Sequence, residues 1–241
     1  MIKDKKENLL FIPTLNEEKH IKTILEQIEI YYEYFDLLVI DDNSSDNTVK
    51  NFNNHKGNIN KSIIIRKNKS GIGSAHLDAF KYAKRNNYKY ILTMDCDLTH
   101  EPKYISIFLK LYKKYDFLVG SRYINKESLA RWALWRILLS YTAHYVCLVF
   151  LNIRFDTTSG FRMYKLECFN NDFFNFTNRE DYSFFIQSGF YINKKRMKVK
   201  EIAVNMPIRK YGTSKMKMKH IITSIQLVIK LWFLKFKNEN F

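Results

Sequence analysis

The sequence predicts an α/β fold: a mostly parallel sheet flanked by helices, with amphipathic helices toward the C-terminus. Three observations carry this. Short apolar runs alternate with amphipathic stretches through the first half. Those stretches have helical spacing. Chemistry-bearing polar residues follow directly after the apolar runs, where the strands of a parallel sheet end and ligands bind. The runs Leu9–Pro13, Leu37–Asp41, Ser62–Arg66, Tyr90–Met94 and Phe117–Gly120 read as buried strands. Between them, Ile21, Ile24, Leu25 and Ile28 fall at i, i+3, i+4, i+7, and Ile105, Phe108, Leu109 and Tyr112 repeat that spacing. Residues 46–54 and 74–86 complete the alternation as weaker helices. After Gly120 the rhythm changes. Residues 130–153 suggest one or two helices, 198–206 a further strand, and 219–236 a last apolar and basic helix.

Length and composition narrow the class. The chain has 241 residues, enough for one large domain, and 46% are hydrophobic, enough for a sizeable core. Its formal charge is +16, so it should seek polyanions: nucleic acid, nucleotide phosphates or an anionic membrane surface. Cys96, Cys147 and Cys168 are far apart and form no CxxC pair, which argues against a disulfide scaffold or structural zinc and fits a reducing compartment. Met1 to Asn8 is charged, with no apolar leader core. The nearest approach to a membrane span is Ile137–Ile153, uncharged but short and interrupted by Ser140, His144 and Asn152.

Four motifs sit at strand ends. Asp95-Cys96-Asp97 follows Tyr90–Met94; two carboxylates there can hold Mg²⁺ or Mn²⁺ on a diphosphate, with Thr99 as a further oxygen, or can form a solvated acidic turn. In Ile40-Asp41-Asp42-Asn43-Ser44-Ser45-Asp46, Asp42 can accept hydrogen bonds from a base, and Ser45 or Asp46 can cap the next helix. In Pro13-Thr14-Leu15-Asn16-Glu17-Glu18, Thr14 or Asn16 can cap a helix whose first turn favours the acids. Ser70-Gly71-Ile72-Gly73 opens a helix but lacks the full dinucleotide fingerprint and the P-loop lysine. Basic residues complete the set: Arg122, Arg136 one turn before Ser140, Arg162, and Arg209 with Lys215. Each is an ordinary surface cation by itself; around one cleft they would bind phosphates.

In order, the stretches IPTLNEE, VIDDNSSDNT, KSGIGSAHLDAF, MDCDLTHEP, VGSRYI, WALWRILLS, DTTSGFRMY and IRKYGTSKM resemble family 2 glycosyltransferases of GT-A (Rossmann-like) fold, and most of all the dolichol- or polyprenol-phosphate mannosyltransferases. The resemblance implies residue roles. Pro13, Leu15 and Glu17 would line the nucleotide-sugar site, with Ile40 and Asp42 near the base and Cys96 between the acids. Asp95, Asp97 and Thr99 would hold the metal. Arg209 and Lys215 would close over the diphosphate. Arg122, Arg136 and Ser140 would bind the acceptor phosphate, and Asp97, Arg122 and Arg136 would carry catalysis. Leu15 stands where the family often has Tyr. Phe185 and Gln187 stand near where many members have Gln and then Glu, with Glu180 and Asp181 close by.

The implied activity is metal-dependent, inverting transfer of a hexose, mannose from GDP-mannose by family default, onto a polyprenyl or dolichyl phosphate. Residues 1–215 would form the catalytic domain, with a region about 128–153 facing acceptor and membrane. Residues 216–241 would form an interfacial helix. Laid flat on the bilayer, the two apolar and basic segments could bury Trp132, Trp135, Trp232 and Phe233; as ordinary core helices they would not. Attachment would be peripheral, at the cytoplasmic face, directly or through an anchoring partner. The competing expectations are UDP-glucose as donor, a sugar hydroxyl as acceptor with Asp181 as base, and a nucleic-acid-binding module, for which no recognition motif is visible.

Overall fold

The computed structural model describes residues 6–125, 127–130, 132–177, 181–207 and 218–236. Among them, one sheet contains β1 (Asn8–Thr14), β2 (Phe35–Asp41), β3 (Lys61–Ile65), β4 (Tyr90–Thr93), β5 (Phe117–Ser121), β6 (Arg162–Lys165) and β7 (Val199–Ala203), in the order β3-β2-β1-β4-β6-β5-β7. The helices are α1 (Glu18–Ile28), α2 (Thr48–Asn54), α3 (Ile72–Arg85), α4 (Ile105–Leu111), α5 (Leu134–Leu151), α6 (Asn171–Phe176), α7 (Ser183–Lys194) and α8 (Met218–Phe236). The five apolar runs of the first half become β1 to β5, and the expected strand at 198–206 becomes β7. Residues 130–153 give one helix, ended by Asn152 in the left-handed region at φ 56°.

Period-two alternation splits the core. Leu9 and Phe11 of β1 and Leu38 and Ile40 of β2 join the cluster under α3, α5, α7 and α8, while Leu10, Ile12, Leu37 and Val39 face α1, α2 and α4. Both faces of the sheet are therefore covered, as parallel strands require.

Two elements depart from the sequence expectation. Strand β6 pairs antiparallel with both β4 and β5, Thr93 opposite Arg162 and Val119 opposite Arg162. Helix α7 is buried from Ser183 through Ile192, with no polar face to produce a helical period. Strand order reverses between β1 and β4, so the carboxyl ends of β1, β2 and β4 open onto one crevice.

The core beneath that crevice holds a histidine. His76 of α3 is 1% exposed and lies against the rings of Phe11, Phe184 and Phe185, with centroids 5.0–5.1 Å away. Burial pushes its pKa down to about 3; Arg162, His100 and Arg66 add to the shift, and the Nδ1 contact with the Ile72 carbonyl opposes it. A base depressed in the folded state takes up a proton on unfolding. Stability therefore falls as pH drops from about 6.5 toward 3, by at most ~1.4 kcal/mol per pH unit from this group. His76→Phe should narrow the difference between urea midpoints at pH 7 and pH 5; an unchanged difference would contradict a neutral buried imidazole.

Candidate active site

The loops after β1 and β2 are tied to each other before any ligand arrives. Asp41 accepts from the Thr14 hydroxyl at 2.7 Å and from the Ser44 amide and hydroxyl at 2.7 and 2.6 Å. Asn16 and Asn43 take the left-handed conformation, φ 52° and 61°, which asparagine tolerates at tight turns. The cap of α1 comes from the neighbouring loop: Asp46 accepts the Glu18 amide at 3.1 Å and also the Thr48 amide at 3.0 Å, so one carboxylate serves α1 and α2. Glu17 is buried, with Oε2 2.8 Å from His20 Nδ1. Pro13 and Leu15 are half-buried at the rim. The Ile40 side chain is wholly buried beneath Asp41 and Asp42 and lines no surface, which corrects its expected place beside the base.

Asp42 has protein partners on both oxygens. It accepts the Ser70 and Gly71 amides at 2.9 and 3.0 Å and stands 2.9 Å from the Arg66 guanidinium, which also bonds the Gly71 carbonyl at 2.8 Å. Gly71 sits at φ 86°, where a side chain would be strained, so the turn opening α3 needs glycine there.

The Asp95-Cys96-Asp97 turn leaves the tip of β4. Asp97 is 4% exposed and its Oδ1 accepts the Thr99 amide and hydroxyl at 3.0 and 2.6 Å. Thr99 therefore orients Asp97. Leu98 is left-handed at φ 63°, a strained state for leucine that doubles the chain back. The side chain of Asp95 is 34% exposed, whereas Cys96 is buried. Among the described residues no group of three or more His, Cys, Asp and Glu is arranged to hold a metal ion. Two hard carboxylates alone suit a cation such as Mg²⁺, which completes its shell with water and substrate phosphate.

Strand β6 brings the facing wall. Because it enters where β4 leaves, the Asp156–Phe161 loop runs alongside the acidic turn, anchored by the Thr93 hydroxyl on the Gly160 carbonyl at 2.7 Å. A Cβ on Gly160 would stand 3.4 Å from Asp95 Oδ1. Asp156 is wholly buried and accepts from Arg122 Nε at 3.0 Å, from Thr158 N and Oγ1 at 3.0 and 3.1 Å, and from Ser159 N at 3.0 Å. Burial alone would raise its pKa; Arg122 and these amides hold it below the usual carboxylate range. Burial works against the charge on Arg122, but Asp156, then Tyr123, and at longer range Asp95, raise its pKa. The sequence placed Asp156 at the head of the stretch DTTSGFRMY without giving it a role, although an Asp followed by Thr-Thr-Ser is an Asx-turn signal.

Arg122 and Ser140 are joined through Tyr123. Its hydroxyl donates to the Ser140 carbonyl at 2.9 Å and also contacts Ser140 Oγ at 2.9 Å, and Arg122 lies over its ring at 5.8 Å. Arg136, one turn earlier on α5, is exposed and packs on Trp135 at 5.2 Å. Arg162 is not a cleft cation. It is 0% exposed and donates to the carbonyls of Thr157, Ser159 and Phe185 and to Ser188, fastening β6 to α7. Phe185 is likewise a core residue, and Gln187 bonds the Phe176 carbonyl. Arg209, Lys215 and Glu180 lie outside the described residues.

Comparison with known proteins places the chain in a family and a fold. A family model described as Glycosyl transferase family 2 matches residues 10–187. The chain is 27% identical over 220 residues to the polyprenol monophosphomannose synthase of Mycolicibacterium smegmatis, covering 86% of this chain and 80% of that protein. It is 24% identical over 211 residues to the undecaprenyl-phosphate mannosyltransferase of Micrococcus luteus, covering 86% of each. Among solved structures, glucosyl-3-phosphoglycerate synthase from Mycobacterium tuberculosis with bound UDP superposes with a TM-score of 0.62 at 14% identity, covering 98% of this chain and 82% of that one. A second structure of that enzyme holds Mn²⁺, UDP and glucosyl-3-phosphoglycerate (TM-score 0.60, 15% identity, 95% and 78% covered).

Removing one member of a buried ion pair strands the other. Asp156→Asn should cost on the order of 3–5 kcal/mol of unfolding free energy. Urea titration measures it; a loss below about 1 kcal/mol would mean that Arg122 does not need this partner.

Proposed function

The chain belongs to glycosyl transferase family 2, with a GT-A fold, and from that premise we propose that it transfers mannose from GDP-mannose to the phosphate of a polyprenyl or dolichyl lipid. The observation that carries this reading is the meeting of an acidic tip with a fixed cation: Asp95 and Asp97 at the end of β4, and Arg122 locked by Asp156 within reach of the field of Asp95. Both relatives named above are mannosyltransferases or mannose synthases of polyprenyl phosphates.

The chemistry follows from which charges are held where. A divalent cation on Asp95 and Asp97 would neutralise the charge that collects on a departing nucleoside diphosphate. Thr99 and the left-handed turn at Leu98 hold the Asp97 carboxylate in place, and it would meet such a cation from there. Arg122, with Arg136 and Ser140 on α5, would hold the acceptor phosphate in line behind the anomeric carbon. A phosphate monoester is already an anion near neutral pH, so no base need deprotonate it. Its oxygen forms the new bond to carbon as the bond to the diphosphate breaks, and the diphosphate leaves with the electron pair. Attack from the opposite face inverts the anomeric centre. The protein supplies positioning and charge. Arg209 and Lys215 would complete the diphosphate site.

A sugar-hydroxyl acceptor would need a general base. Asp181 suits that poorly. Its oxygens accept the Ser183 amide and the Thr223 hydroxyl, both at 2.9 Å; burial opposes the charge, but these bonds keep its pKa low. UDP-glucose remains the competing donor. No observation favours nucleic acid as a partner.

We also place the enzyme on a membrane surface, peripherally and on the cytoplasmic side. Helix α5 is long and apolar enough to cross a membrane by length and composition. Its partial packing supports a position along the interface: Cys147 and Leu151 are buried, and α8 lies against it through Phe150 and Trp232. Outward, Leu134, Leu138, Tyr145 and Val149 on α5 and Ile222, Ile225, Ile229 and Phe233 on α8 are more than half exposed, each set spaced as one helix face. Trp132 and Trp232 are not part of that face. Trp132 donates to the Met206 carbonyl at 3.0 Å, and both pack on the core, so of the four aromatics expected at the bilayer Trp135 and Phe233 are the exposed ones.

Incubation of the purified protein with GDP-mannose or UDP-glucose, polyprenyl phosphate and Mg²⁺ should yield a mannosyl-phosphoryl lipid by mass, and Asp97→Ala should abolish it. Product from UDP-glucose alone would change the donor, and full turnover by the variant would remove Asp97 from the mechanism. Flotation with anionic vesicles should fall at least severalfold in Leu138→Glu/Ile225→Glu; undiminished flotation would place the membrane contact elsewhere.

A further inference from the structure

A buried histidine lies beneath the acidic turn. His100 is 4% exposed. Its Nδ1 accepts the backbone amide of Asp95 at 2.9 Å and stands 3.7 Å from Asp95 Oδ2. An accepting Nδ1 puts the ring proton on Nε2. The ring stacks on Phe161, centroids 5.1 Å apart and planes 21° from parallel, and Phe161 packs in turn on Phe108 at 4.7 Å. A Cβ on Gly160 would stand 3.4 Å from both Asp95 Oδ1 and His100 Cε1, so imidazole and carboxylate share one wall.

These contacts close the turn from both ends. Asp97 takes the Thr99 amide with its side chain, and His100 takes the Asp95 amide with its own. Between them lies Leu98 in its left-handed state, which local preference alone would not populate. The Asp95 carboxylate is built on a backbone whose amide His100 holds from below. Strand β4 ends at Thr93, and the Met94 amide still bonds the Phe11 carbonyl of β1 at 3.1 Å, one residue before Asp95.

We propose that His100 is a positioning residue for the donor: by holding the Asp95 amide it sets the direction in which the Asp95 carboxylate meets the divalent cation and the diphosphate. This rests on the reading that Asp95 and Asp97 grip the donor through a cation. It differs from a core-filling role, because filling depends on ring volume and stacking, whereas positioning depends on an acceptor atom at Nδ1.

Two substitutions separate those roles. His100→Phe keeps the stack on Phe161 and removes the acceptor. His100→Asn offers Oδ1 near the place of Nδ1 and removes the stack. Calorimetric titration of the full chain with GDP, and in parallel with UDP, in the presence of Mn²⁺ reads nucleotide binding without turnover. Electron paramagnetic resonance reads free Mn²⁺ in the same samples. His100→Phe should weaken Mn²⁺-dependent nucleotide binding by about 10- to 100-fold, while His100→Asn stays within a few-fold of the parent protein. Circular dichroism checks that each variant is folded. If the Phe variant does not fold, the Asn variant decides alone: near-parental binding supports the proposal and loss of binding overturns it. A Phe variant that binds like the parent, or an Asn variant weakened as much as Phe, overturns it as well. Asp97→Asn is the control. If it also binds like the parent, the reading of the acidic pair has failed; if it alone loses binding, only the role of His100 has.

Discussion

An antiparallel strand between two parallel ones governs the whole arrangement. Strand β6 runs against β4 and β5, so the chain must enter the sheet at the end where β4 leaves it. That reversal lays the Asp156–Phe161 loop against the Asp95-Cys96-Asp97 turn. The same loop supplies Asp156 to Arg122, Gly160 beside Asp95 and Phe161 beneath His100. Had β6 run parallel, its leading residues would lie at the other end of the sheet, and neither the cation nor the acidic turn would have its support.

The cost of keeping charges in a crevice is met by amides, hydroxyls and opposite charges of the protein itself. Asp41, Asp42, Asp97 and Asp156 are nearly or wholly buried, and each accepts from a backbone N–H or a hydroxyl. A buried carboxylate without such donors would protonate or force the site open. The carboxylates are therefore held in place by donors of the protein itself. A charged ligand then meets dipoles that need not reorganise, which is how a protein stabilises charge that moves during a reaction. Arg162 shows the same economy with the opposite sign: a fully buried guanidinium satisfied by carbonyls and a serine hydroxyl.

The two long apolar helices follow a different logic. Each has one face in the core and one in the open, and they pack on each other along Phe150 and Trp232. Tyr123 links α5 to the loop after β5, so the residues expected at the acceptor share a rigid connection with the exposed apolar face. On the proposed function, anchoring and acceptor capture would involve the same helix.

Strands β1 to β5 and the helices between them were readable in the sequence because their burial is periodic: two residues per turn of the pleat, or three to four per turn of helix. The acidic groups were readable because they follow those strands directly. What the sequence left open was set by contacts distant along the chain. β6 is only four residues long and amphipathic on neither period, and α7 is apolar all round, so neither announces itself. Arg162 looks like any cleft arginine until α7 closes over it. The acceptor for the Asp95 amide lies only five residues away, at the His100 ring, yet its direction depends on Phe161, from the loop before β6 about sixty residues later. Local composition thus determined which elements form and where charge gathers. Only the folded sheet, by deciding which strand ends become neighbours, determined which of those charges are held, which are hidden and which face a ligand.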